Sequence, residues 1–116
     1  MTPSPGRELD AEVAEKVFGW KLLNEAWGPY RWQGDKGRNA LPAFSTSIED
    51  AWRVVDNMSR RNFYFDIDNH YKYHAQGYWE AAFGGLSDAA HHIGIADTAP
   101  MAICLAAIKA VGENRK

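Results

Sequence analysis

The sequence has one cysteine, Cys104, so no intrachain disulfide can staple the fold. Its neighbours, Met101 to Val111, are almost all apolar, which reads as a buried, inert thiol rather than a nucleophile. No apolar run approaches the roughly 20 residues of a membrane span. The opening residues, Met1 to Gly6, are polar and proline-rich, with no apolar stretch of the kind a secretory signal needs, and point to the cytoplasm. Neither sign of charge dominates. A formal net charge of -2 excludes a general nucleic-acid coat, which wants a basic surface, and also a strongly acidic DNA mimic. There is no P-loop, no dinucleotide glycine motif and no paired C-x-x-C. Ser45, Ser47, Ser59 and Ser87 lack the G-x-S-x-G setting of an activated nucleophile. No repeat, low-complexity tract or linker is visible. The chain therefore reads as one domain over 1–116, with 1–6 and 113–116 fraying.

What is present suffices for a core. Hydrophobic residues make up 46% and charged residues 24%, which excludes disorder of the whole chain. Leu9, Val13 and Val17 recur at four-residue steps and predict a helix over 7–18, stopped by Gly19. Residues 20–44 read as a long irregular stretch, punctuated by Gly28-Pro29, Gly34, Gly37 and Pro42. A second helix is expected over 47–60, with Thr46 and Glu49 as a capping box. Ile48, Ala51, Trp52, Val55 and Met58 would form its apolar face. Phe63, Phe65 and Ile67 alternate with Tyr64, Asp66 and Asp68, the period of a half-buried strand. Ala75-Gln76-Gly77 reads as a turn, and Tyr78 to Phe83 as a returning strand. A last helix begins after Thr98, is apolar nearly all round and therefore buried, and stops at Gly112. A lone hairpin is marginal, so a third strand belongs in 20–44, in 86–96, or to a second subunit. The class expected is α+β, one antiparallel sheet with helices on one or both faces.

Four stretches carry a family resemblance. They are Val13-Ala-Glu-Lys-Val-Phe-Gly-Trp20, Phe44-Ser-Thr-Ser-Ile-Glu-Asp-Ala-Trp-Arg-Val-Val55, Tyr78-Trp-Glu-Ala-Ala-Phe-Gly84, and the segment from Thr98 to Val111. In this order they resemble the phage ABA sandwich domain family. The resemblance implies a three-layer α/β/α sandwich around a small antiparallel sheet, and a phage or prophage origin. It implies no reaction and carries over no catalytic residue. Residues 21–43 match no part of the pattern.

That unmatched segment is where a binding surface is expected. It holds Trp27, Tyr30 and Trp32 with Arg31, Lys36 and Arg38, after Trp20 and Lys21. Trp, Tyr and Arg dominate binding hot spots, and the same mixture stacks bases. Trp20, just past the helix-ending glycine, reads instead as core. Asp66, Asp68 and His70 would share one strand face, with His74 farther on. They could hold Mn²⁺ or Zn²⁺, but they also read as the charged solvent face of an edge strand. His91 and His92 are adjacent, so a strand would send them to opposite faces, and they read as surface residues. Arg53, Arg60 and Arg61 read as solvated.

The expectation is a non-enzymatic binding protein without cofactor. It would inhibit a host protein or protein–nucleic-acid complex, in the manner of an anti-CRISPR protein. A nucleotide-sequestering protein is one alternative, and a metal-dependent enzyme built on Asp66, Asp68 and His70 is another. A homodimer could form by pairing of strand edges.

Overall fold

The computed structural model describes residues 6–23, 31–34, 37–39, 41–69, 77–85 and 91–113. The first helix, α1 (Arg7–Lys16), buries Leu9, Val13 and Ala14 along the predicted stripe. It ends two residues earlier than expected. Gly19 then adopts φ 72, where a side chain would be strained, and the Trp20 N–H reaches back to the Ala14 carbonyl at 2.9 Å. That bond turns the indole of Trp20 into the core, against Phe18 and Phe44.

The stretch read as largely irregular, with a short helix or strand allowed at about 21–26, contains three short strands. They are β1 (Lys21–Leu23), β2 (Arg31–Gly34) and β3 (Gly37–Asn39), an antiparallel meander. Gly34 pairs with Gly37 at its tight end, so the punctuating glycines mark a hairpin rather than an end of regular structure.

Helix α2 (Ile48–Arg60) starts one residue later than the predicted capping box. Ser47 is the N-cap, and its hydroxyl accepts from the Asp50 N–H at 3.4 Å. Asp50 turns outward to accept from the Ala43 N–H at 2.8 Å. The buried face is Ala51, Val54 and Met58. Ile48 and Trp52 lie a quarter turn or more from that stripe and stay 45% and 50% exposed, so the expected apolar face is corrected by one position. Asn62, at φ 69, reverses the chain into the next strand, a role its short polar side chain tolerates.

The main sheet is β4 (Phe63–Asn69), β5 (Trp79–Gly85) and β6 (His91–Ala96), antiparallel in that order. β6 is the third strand that the hairpin needed. Ala81 and Phe83 belong to the hydrophobic core, and Phe63, Phe65 and Ile67, partly buried, pack against it. Helix α3 (Ala99–Glu113) is buried on nearly every side and runs through Gly112 rather than stopping there.

α3 packs on the sheet and on both other helices. Ala102 and Ala106 meet β6 at Gly94, where an added Cβ would lie 2.4 Å from the Ala102 carbonyl oxygen. Cys104, about half a turn round the helix, feels the carboxylate of Asp10 on α1. α2 packs beside α3 and against β4. The three helices and the three-stranded antiparallel sheet make an α+β sandwich, with α2 and α3 on the sheet and α1 packed on α3. Phe44, Phe83, Leu9, Met58 and Ile103 are fully buried at its centre. Each contributes about 2 kcal/mol by leaving water.

Candidate functional site

Of the residues expected to meet a partner, Trp27, Tyr30 and Lys36 lie outside the described residues, as do His70 and His74. For Arg31, Trp32 and Arg38 the backbone places the positions. Trp32 pairs with Leu22 on one side and Asn39 on the other, while Gln33 pairs with Lys21 and Arg38. Arg31 pairs with Leu23. The meander thus gathers Lys21, Arg31, Trp32 and Arg38 into one three-stranded ribbon. That ribbon pairs with neither edge of the main sheet. Among the described residues it packs broadly on no other element.

The root of the ribbon is anchored. Trp20 is buried, as its position after Gly19 suggested. The Arg53 guanidinium sits 5.7 Å from its ring centroid and 5.8 Å from that of Phe44. Arg61 donates to the Val17 carbonyl, and Arg60 pairs with Asp56 at 2.8 Å. All three arginines are exposed, as read, and two of them, Arg53 and Arg61, also touch the end of α1 and the rings beside it.

A groove of about 500 Å³ lies between the starts of α2 and α3 and the sheet. The first turns of α2 and α3 supply Ile48, Trp52, Pro100 and Ile103, and the sheet supplies Ile67 and Trp79. Asp97 and Thr98 stand at its rim. Trp52 meets Phe65 edge-on at 5.9 Å, so its ring forms a wall of the groove and stays half in water. Periodicity could not find this site, because Ile48 and Trp52 look like core positions of an amphipathic helix.

The acidic strand takes the place expected of it. Asp66 and Asp68 alternate with the buried positions of β4 and are exposed. Among the described residues no three His, Cys, Asp or Glu side chains gather as metal ligands. His91 is exposed, but His92 is buried and edges against Phe63, correcting its reading as a surface residue. β6 turns its odd positions outward, which sends His92 and Gly94 to the helix side. Cys104 is fully buried. Burial pushes its thiol far above the usual range, and the Asp10 carboxylate adds to the shift, so it is no nucleophile at neutral pH. Among the described residues no helix is long and apolar enough to cross a membrane.

The family model of the phage ABA sandwich domain matches residues 11–108. No curated protein and no solved structure matches the chain. The match spans most of the sequence, including the stretch from 21 to 43, and the chain belongs to the phage ABA sandwich domain family.

Proposed function

We propose that this phage-family protein is a non-enzymatic binding protein that inhibits a host factor in the host cytoplasm, as an anti-defence inhibitor of the anti-CRISPR type. One observation carries the reading. The β1–β3 ribbon is a sheet of its own and brings Arg31, Trp32 and Arg38 onto adjacent strands. Arginine and tryptophan on a short, self-paired ribbon suit a desolvated protein contact. The exposed wall of Trp52 offers a second apolar contact.

The test is a cleavage assay with purified CRISPR effector complexes and their target DNA. Stoichiometric addition of the chain should suppress cleavage by at least one effector. The combined variant Arg31→Ala, Trp32→Ala and Arg38→Ala should restore it while melting at the same temperature. Full cleavage by every effector type tried would remove the anti-CRISPR assignment. A nucleotide released from denatured protein, found by mass spectrometry, would favour sequestration of a small ligand instead.

A further inference from the structure

The outer face of the main sheet has no helix on it among the described residues. Register places Tyr64, Asp66 and Asp68 of β4 there, with Gly84, Ala82 and Glu80 of β5 and His91, Ile93 and Ile95 of β6. Three large side chains on this face are left in water: Tyr64 at 45%, Ile93 at 40% and Ile95 at 55%. Ala82 and Gly84 on the centre strand are small, so this part of the face is a shallow trough. One wall is apolar, from Ile93 and Ile95. The other is acidic, from Asp66 and Asp68. At one end Tyr64 lies over Gly84, where an added Cβ would come within 2.7 Å of its ring, and meets His91 edge-on at 5.9 Å.

We propose that this trough docks a segment of a protein partner that carries an apolar stripe flanked by lysine or arginine. The apolar wall supplies the burial, since contiguous exposed isoleucine and tyrosine mark interaction surfaces. The acidic wall selects the sign of the partner. The nine face positions hold three carboxylates and no lysine or arginine. Asp66 and Asp68 are about 7 Å apart on one strand and repel nucleic acid and anionic lipid. A second copy meeting the same face would bring no lysine or arginine among these nine positions to pair with Asp66 and Asp68. The span from β4 to β6 is about 10 Å, the width of one helix. The proposal rests on the chain being a binding protein, and it adds a surface separate from the β1–β3 ribbon.

Fluorescence anisotropy tests it, with a labelled synthetic amphipathic helix of leucine and lysine and its leucine–glutamate twin as probes. The wild-type chain should bind the lysine helix at least roughly tenfold more tightly than the glutamate helix. Asp66→Lys with Asp68→Lys should reverse that preference. Both positions are exposed, so this variant keeps its fold, which a circular-dichroism melt verifies. Ile93→Ser with Ile95→Ser should weaken the lysine helix by a similar factor. Trp52→Ala, and Arg31→Ala with Trp32→Ala, should leave it unchanged. Equal affinity for the two helices, a preference that charge reversal does not move, or equal loss in Trp52→Ala would each overturn the proposal. A chain that fails the cleavage assay but passes here loses its target and keeps its docking face. The converse result loses the face alone.

Discussion

Asp10 Oδ1 accepts two hydrogen bonds from a single residue, the Ser45 backbone N–H at 2.8 Å and the Ser45 hydroxyl at 2.6 Å. Both residues are buried, and 35 positions separate them. The Ser45 hydroxyl also accepts from the Gly6 N–H at 2.8 Å. Arg7 bridges the cluster outward, from Asp10 Oδ2 at 3.2 Å to the Leu41 carbonyl at 2.6 Å. The start of α1 is thereby tied to the turn that leads into α2. This turn closes the excursion that carries the β1–β3 ribbon.

Asp10→Ala removes that carboxylate and strands the Ser45 N–H in the core, while the Ser45 hydroxyl keeps the Gly6 carbonyl at 3.2 Å as an acceptor. The expected cost is about 3 kcal/mol, measured by urea unfolding. Ser45→Ala keeps the backbone donor and should cost about half as much. A loss under about 0.5 kcal/mol in Asp10→Ala would mean that the tie does not hold the ribbon's base.

Two glycines should respond differently to alanine. At Gly94 the new Cβ would meet backbone, the Ala102 carbonyl at 2.4 Å and the Ala106 nitrogen at 2.5 Å, and neither can step aside. Gly94→Ala should therefore cost about 3 kcal/mol or prevent folding, as overpacking against fixed atoms does. At Gly84 the obstacle is the half-exposed ring of Tyr64, which can swing into water. Gly84→Ala should cost about 1 kcal/mol or less. Equal melting temperatures for the two variants would contradict the close approach of α3 to β6.

Cys104 sets a pH dependence. In the unfolded chain its thiol loses a proton near pH 8.5, while the folded chain keeps it bound. The folded state then binds more protons, so stability falls as pH rises above about 8.5, by up to about 1.4 kcal/mol per pH unit. Urea unfolding at pH 8 and pH 10 should show this slope in the wild type. Cys104→Ala should lack that share of it. Identical slopes would place the thiol in water, as would rapid labelling of the folded chain by a thiol reagent.

The groove makes a milder prediction. Trp52 is half in water already, so Trp52→Ala should cost only about 1 kcal/mol, mostly its contact with Phe65. A cost above about 3 kcal/mol would show the groove closed and Trp52 in the core.

Much of this fold was legible in residue patterns, and the exceptions have physical causes. Alternation in β4 and the all-round apolar face of α3 follow from their surroundings, so the pattern reported them. β6 was hidden because its pattern is inverted. Gly94 and His92 point inward, since α3 comes too close for a larger residue at 94, while Ile93 and Ile95 point outward. Asp10 looked like an ordinary first-turn acid, and only the chain's path shows that it meets Ser45. The face of the sheet that the helices take is likewise a matter of packing, which no single strand encodes. Trp20 was placed correctly by its position after Gly19. The aromatic and basic character of residues 20–43 was plain, but their arrangement as a hairpin ribbon depended on a glycine turn that also reads as loop.

The central claim is that the ribbon is the working surface, and affinity isolation from a phage host extract tests it most directly. Tagged wild-type chain should retain a stoichiometric host protein or complex. A chain carrying Tyr30→Ala, Arg31→Ala and Trp32→Ala, with an unchanged melting temperature, should lose it. Retention of the same partner at the same stoichiometry by that variant would contradict the account.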